Sequence, residues 1–254
     1  MRTATTIFFT LLLSLTASAA EPDYAPWNRI LSTYYSPAHG MDYRALKAKD
    51  AQALQSLRQQ LGRVDVNALS RKEQLAYWIN VYNVNVVGTI VDAYPVESIR
   101  DISTDPIIRL NVFKKDRVPY GSELLSLDTI EHKKIRESFK DPRIHFAINC
   151  AARSCPPIRP EAFTGAKLDA QLDDQVRRFL GGPFGARFAM DGDELTITTT
   201  KIMDWFGDDF DAAGGRPAFI RRYIAPDKQK LFGQAKEIDV EYDDYDWALN
   251  DWKR

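Results

Sequence analysis

The sequence predicts an α+β fold, a helix-rich single domain around a small, mostly antiparallel sheet. Three observations lead there. Helical spacing of apolar residues runs through the N-terminal third. A capped segment at about 71–93 is apolar around most of its circumference, which marks a buried central helix. Short alternating stretches punctuated by glycine and aspartate recur at 111–121 and 188–199, which reads as hairpins.

Taken in order, Trp27, Ile30, Leu31 and Tyr34 recur at helical spacing, and 42–48 and 51–61 continue it with Leu54, Leu57 and Leu61 as one stripe. Ser70 and Glu73 form a capping box ahead of the central helix. Pro95 disfavours helical geometry at Tyr94, so this helix should end near Ala93. Asn80, Asn83 and Asn85 lie inside it, and buried amides need partners. Asn80 and Asn83, one turn apart, would hold a loop through its backbone or orient a catalytic side chain. Val112 and Val118 flank Lys114-Lys115-Asp116 in the first hairpin. Ser126 or Asp128 opens a helix through Ile130, Ile135 and Phe139 that Asp141-Pro142 ends. Ile144 to Asn149 reads as a short apolar strand, 168–180 as an amphipathic helix, and 188–199 as a hairpin turning at Asp191-Gly192-Asp193. Residues 205–224 read as helix in pieces, and 239–246 as an acidic, aromatic stretch leading to Tyr245, Trp247 and Trp252.

Residues 1–20 read as a secretory signal peptide. Arg2 supplies the positive end, Ile7 to Leu15 an apolar run too short to span a bilayer, and Ala17-Ser18-Ala19 a cleavage signal. The expected layout is therefore a leader at 1–20, a helical segment at 21–65 and a main region at 66–254, the last two forming one globular unit. The expected location is periplasmic or secreted, with no membrane span once the leader is removed. A net charge of −1 argues against a nucleic-acid binder. No H-x-x-x-H or C-x-x-C pair suggests a metal, and no Walker, Rossmann or G-x-S-x-G pattern suggests a bound nucleotide or a serine nucleophile. No metal or cofactor is expected. Asp204, Asp208, Asp209 and Asp211 lack calcium-loop spacing and read as a solvated acidic turn.

The chemistry concentrates in RIHFAINCAARSCPP at 143–157, which holds both cysteines, Cys150 and Cys155, and one of the three histidines. A cysteine reacts as thiolate and needs a base or positive field beside it. In a strand, His145 would point to the face opposite Cys150, because five positions separate them. His132, on the preceding helix with Asp128, Ile135 and Phe139 on its face, is the better partner, or else a core histidine satisfied by backbone. Glu131 or Asn83 would orient it. Arg153 would lower a thiol pKa, bind a carboxylate, or lie in solvent. The competing reading is a Cys150–Cys155 disulfide, which an oxidising compartment favours.

Several segments carry a resemblance: LAYWINVYNVNVV at 75–87, YPVESIRDI at 94–102, LSLDTIEHKKIR at 125–136, RIHFAINCAARSCPPI at 143–158 and YDWALN at 245–250. Together they resemble the bacterial, secreted branch of the domain of unknown function 547 family. The family's Ile-Glu-His and Phe-Ala-x-x-Cys elements correspond to Ile130-Glu131-His132 and Phe146-Ala147-Ile148-Asn149-Cys150. Plant members of the family carry a leucine-zipper region, and some carry serine at the position of Cys155. The resemblance thus implies a role for Cys150 beyond pairing, and brings no catalytic set with it. Two functions follow as expectations. One is a cysteine-dependent hydrolase or acyltransferase acting on a small-molecule or peptide substrate, with Cys150 as nucleophile and His132 as base. The other is a non-catalytic binding or scaffold module, stiffened by the disulfide, that meets a protein partner through aromatics near Tyr242, Tyr245 and Trp252.

Overall fold

The computed structural model describes residues 21–102 and 111–252. The leader read at 1–20 lies outside the described residues. Helix α1 (Ala25–Tyr34) turns its Trp27, Ile30, Leu31 and Tyr34 stripe inward. Two short strands, β1 (Tyr35–Ser36) and β2 (Gly40–Met41), pair antiparallel and lead into α2 (Tyr43–Leu61). The Asp42 carboxylate caps α2 by accepting from the Ala45 N–H, and Asp50 kinks it with non-helical φ/ψ.

The central element is α3 (Arg71–Ala93). The Ser70–Glu73 capping box forms as the sequence predicts, with both reciprocal hydrogen bonds present. Every residue from Leu75 to Val91 is buried. Helices α1 and α2 pack their apolar stripes into the same core cluster as α3, so the N-terminal helices share the interior of the main region.

A hairpin of β3 (Val118–Tyr120) and β4 (Glu123–Leu125) follows, then a helical stretch in three parts: α4 (Leu127–Thr129), a π-helical segment at Ile130–Arg136, and α5 (Glu137–Phe139). Helix α6 (Leu168–Leu180) is amphipathic, as its sequence predicts. The last sheet joins β5 (Arg187–Asp191) antiparallel to β6 (Glu194–Thr199), with β7 (Glu237–Tyr242) parallel to β6. Between β6 and β7 lie α7 (Ile202–Trp205), α8 (Gly207–Asp211) and α9 (Arg216–Tyr223), followed by two single turns. A second apolar cluster, centred on Phe146, Phe210 and Phe219, sits between α6, this sheet and these helices. The architecture is the expected α+β, with small sheets set among helices.

Three local expectations change. The segment at 144–149 is not a strand: Pro142–Phe146 forms a 3-10 helix, started by the Asp141 carboxylate accepting from the Arg143 N–H. The first hairpin turns at Gly121, where φ is +58°, and Val112–Lys114 is a separate 3-10 turn. Strand β7 was hidden by its acidic residues: Ile238, Val240 and Tyr242 alternate with Glu237, Asp239 and Glu241.

Gly88, in the middle of α3, faces the buried Arg58 side chain of α2. A Cβ there would lie 2.9 Å from Arg58 Cδ and 3.1 Å from its Cζ. The guanidinium is pinned by Asn85 Oδ1 and Asp92 Oδ2, both at 2.9 Å. Helix propensity alone would make Gly88→Ala stabilising by about 1 kcal/mol. The pinned arginine reverses the sign, and we expect a loss of about 1–2 kcal/mol from overpacking, read by urea denaturation. A gain in stability would show that Arg58 moves aside freely.

Candidate functional site

The loop carrying the thiols is held by carboxamides. Asn83 on α3 donates through Nδ2 to the Ala147 carbonyl and accepts from the Asn149 N–H on Oδ1, both at 2.9 Å. Asn149 in turn donates to the Pro156 carbonyl at 2.7 Å and accepts from the Ala151 N–H at 2.8 Å. Ala151 sits at φ +62°, a left-handed conformation uncommon for a residue with a Cβ. Asn80 performs the same service one turn earlier, pairing with both backbone groups of Phe163. The C-terminal segment then straps the loop from outside. Asn250 donates its backbone N–H to the Ala151 carbonyl, and the Arg153 and Ser154 N–H groups donate to the Ala248 and Asp246 carbonyls.

Cys150 opens onto a cavity of about 310 Å³ also lined by Tyr82, Asp128, Glu131, His132, His145 and Tyr245. Both cysteines are free thiols. The Cys150 N–H donates to Cys155 Sγ at 2.8 Å, and Cys150 Sγ lies 3.1 Å from the Tyr245 hydroxyl. Burial pushes the Cys150 thiol up, but hydrogen bonds from Cys155, Tyr245 and the Ala152 backbone N–H outweigh it, leaving the thiol below its ordinary value. Burial and the neighbouring sulfur push Cys155 well above its own. Burial and the two sulfurs likewise push the Tyr245 phenol far up, so Tyr245 is the donor to Cys150. The pair is thus polarised, with Cys150 the more acidic and more exposed residue and Cys155 a buried thiol beside it that keeps its proton.

The histidines are arranged differently from the sequence expectation. His132 shares the cavity with Cys150, yet its polar contacts are with its own helix. Arg136 Nη1 donates to His132 Nδ1 at 2.9 Å, and Asp128 Oδ1 lies 3.7 Å from Nε2. Burial pushes the ring below its ordinary pKa. A neutral ring accepting on Nδ1 carries its proton on Nε2, so its one acceptor nitrogen is taken by Arg136. His145 faces the same cavity, because the 3-10 turn removes the strand parity that aimed it away. Its Nε2 donates to Asp209 Oδ2 at 2.7 Å and its ring stacks on Phe206 with centroids 4.0 Å apart. Burial keeps this ring neutral too, and its buried Nδ1 has no partner among the described residues. Asp209 also binds Arg136 through both carboxylate oxygens, at 2.7 and 3.0 Å. With His145 as the leading cause, its carboxyl is held far below the usual range.

Glu131 is the unexpected group. Burial lifts its carboxyl to about 7, against a lowering hydrogen bond donated by the Tyr82 hydroxyl to Oε2 at 3.1 Å. Glu131 and His132 are adjacent in sequence and both reach the cavity from the π-helical segment, a conformation often found at functional sites.

The fold therefore gathers Cys150, Cys155, Glu131, His132 and His145 around one cavity, with Asn83 supporting the loop from behind. Asn80 supports a different loop. Arg153 lies on the far side of the Cys150–Cys155 loop, lining a separate cavity, with Asp246 3.8 Å away. Asp209, read as part of a solvated turn, is instead the shared partner of Arg136 and His145. Nothing in the sequence pattern marks Tyr245 as the thiol's partner. Its only signal was an aromatic-rich C-terminus, and the contact spans 95 positions. Among the described residues no group of three or more His, Cys, Asp or Glu side chains is placed to hold a metal, and no helix is long and apolar enough to cross a membrane.

A carboxyl with a raised folded-state pKa contributes stability below its unfolded value, which is lost as pH rises through the folded value. For Glu131 the window runs from 4.5 to about 7. We expect wild type to lose roughly 2–3 kcal/mol relative to Glu131→Gln between these pH values, measured by urea denaturation across the range. Parallel stability profiles would mean that Glu131 titrates normally.

No curated protein and no solved structure matches the chain. A family model does, over residues 66–180. That span holds α3 with its carboxamides, the π-helical segment with Glu131 and His132, and the loop with both thiols. Over that span the chain is similar to the family described as protein of unknown function, DUF547.

Proposed function

We propose that this protein is a cysteine-dependent acyl-transfer enzyme, hydrolase or transferase, with Cys150 as its nucleophile. The observation that carries this reading is the polarised thiol. Cys150 lies 3.1 Å from the Tyr245 hydroxyl, is held below its ordinary pKa by hydrogen bonding, and faces a cavity that also contains a carboxyl poised at about 7. Activated nucleophiles need such donors, and proton carriers work best near ambient pH. The cavity volume suits a small-molecule or single-residue group rather than a folded protein. With residues 1–20 read as a leader, the enzyme acts in the bacterial periplasm or outside the cell.

In the proposed reaction the Cys150 thiolate attacks the acyl carbon of an amide, forming the C–S bond. As the C–N bond breaks, neutral Glu131 gives its proton to the departing amine. The resulting carboxylate takes a proton from water as the hydroxide adds to the thioester. The C–S bond then breaks, the acid leaves and Cys150 returns as thiolate. With an alcohol or amine in place of water the same steps transfer the acyl group. Glu131 replaces His132 as the proton carrier expected from sequence, because the acceptor nitrogen of His132, Nδ1, is taken by Arg136.

Incubation with small activated thioesters tests the reading. Intact-mass spectrometry should find one acyl group per chain, mapped to Cys150, released by hydroxylamine and absent in Cys150→Ser. Glu131→Gln should still acylate but slow deacylation roughly 100-fold, the usual worth of a general acid–base group. A folded, reduced protein that takes up no acyl group, or takes it up equally at Cys155, would contradict the proposal.

A further inference from the structure

Beside the thiol the cavity wall becomes aromatic. Trp205, Tyr245 and Trp247 form a contiguous trio, with ring centroids 4.8 Å apart for Trp205–Tyr245, 4.8 Å for Tyr245–Trp247 and 5.9 Å for Trp205–Trp247. The trio touches the reacting atom, since the Tyr245 hydroxyl is 3.1 Å from Cys150 Sγ. Trp205 is 47% exposed, an unusual position for so large an apolar surface. Charge in the cavity runs one way. Asp128 and Glu131 line it, its two histidines are kept neutral by burial, and among the described residues no lysine or arginine lines it. Ring faces and carboxylates attract the same kind of ligand, a desolvated cation. The trio already receives one from outside the cavity, where the Arg100 guanidinium lies 5.1 Å from the Trp247 ring centre.

We infer that the substrate carries a cationic group, an ammonium or guanidinium, close to the acyl carbon that Cys150 attacks. This rests on the reading of Cys150 as a nucleophile. It narrows the substrate class to basic amides and peptides with a basic residue at the scissile carbonyl. The aromatic trio takes the cation's alkyl and charged surface, and Asp128, joined by Glu131 when it ionises, supplies the countercharge.

Three methanethiosulfonates of similar size test this on the full, reduced chain: one bearing trimethylammonium, one neutral and one bearing sulfonate. In each reaction the Cys150 thiolate forms a disulfide with the reagent's thiol sulfur as the S–SO2 bond breaks and methanesulfinate leaves. Rates at Cys150, followed by mass spectrometry, are normalised to those of the same reagents with a free small thiol. The cationic reagent should then exceed the neutral one by roughly tenfold, as expected for a cation on desolvated aromatic faces. The sulfonate should fall below the neutral reagent. Trp205→Ala and, separately, Asp128→Asn should each bring the cationic-to-neutral ratio towards one. If Cys150 reacts with all three reagents at normalised rates within about twofold, or if both variants leave the preference intact, the cation inference is overturned while the thiol reading stands. If Cys150 reacts with none, the thiol reading falls and takes this inference with it.

Discussion

The carboxamide of Asn83 is the constraint on which the rest of the site depends. It is buried in the middle of α3 and satisfies two backbone groups of the Cys150 loop at once, the Ala147 carbonyl and the Asn149 N–H. A helix interior is a poor place for asparagine by propensity, and a buried amide without partners is costly. Both penalties are offset only if the loop takes the one conformation that meets the amide. That conformation passes through the left-handed Ala151 and brings the Cys150 N–H onto Cys155 Sγ. The C-terminal segment closes it from the outer side and delivers Tyr245 to the thiol. Helix α3, the loop and the C-terminal strap thus form one unit, although nearly the whole main region separates them in sequence.

The electrostatics of the cavity follow from burial acting on unlike groups. Desolvation raises acids and lowers bases, so Glu131 rises to about 7 while His132 and His145 are kept neutral. Cys150 escapes the same trend because hydrogen bonding, with the Tyr245 hydroxyl 3.1 Å away, favours its thiolate, whereas Cys155 is raised by burial and by the neighbouring sulfur. Two neighbouring thiols of one sequence motif are therefore given opposite tendencies. Ionised Glu131 would oppose a thiolate on Cys150, and a neutral Glu131 permits it, so the proton on one group and the charge on the other are linked.

What could be read from sequence was what local interactions decide. The Ser70–Glu73 box, the span of α3 and the amphipathic face of α6 are set by residues within a turn or two of one another, and each formed as expected. The cavity was legible in part: Cys150, Glu131 and His132 stood out by residue type. The apolar pattern at 144–149 predicts a strand that would aim His145 away from Cys150, whereas Asp141 and Pro142 start a 3-10 helix and change which way the ring points. The π-helical segment leaves no mark in apolar spacing, so Glu131 could not be placed facing the cavity beside His132. Tyr245, Asp209 and Trp205 join the site through contacts between distant segments that periodicity does not encode.

The most direct measurement is a site-resolved titration of the two thiols, by the 13C shift of each cysteine Cβ in labelled, reduced protein. Cys150 is expected to lose its proton below the ordinary thiol value of about 8.5, and Cys155 to keep its own well above that pH. A Cys150 that titrates at or above the ordinary value, or two thiols that titrate together, would contradict the claim that the fold separates a reactive sulfur from a supporting one.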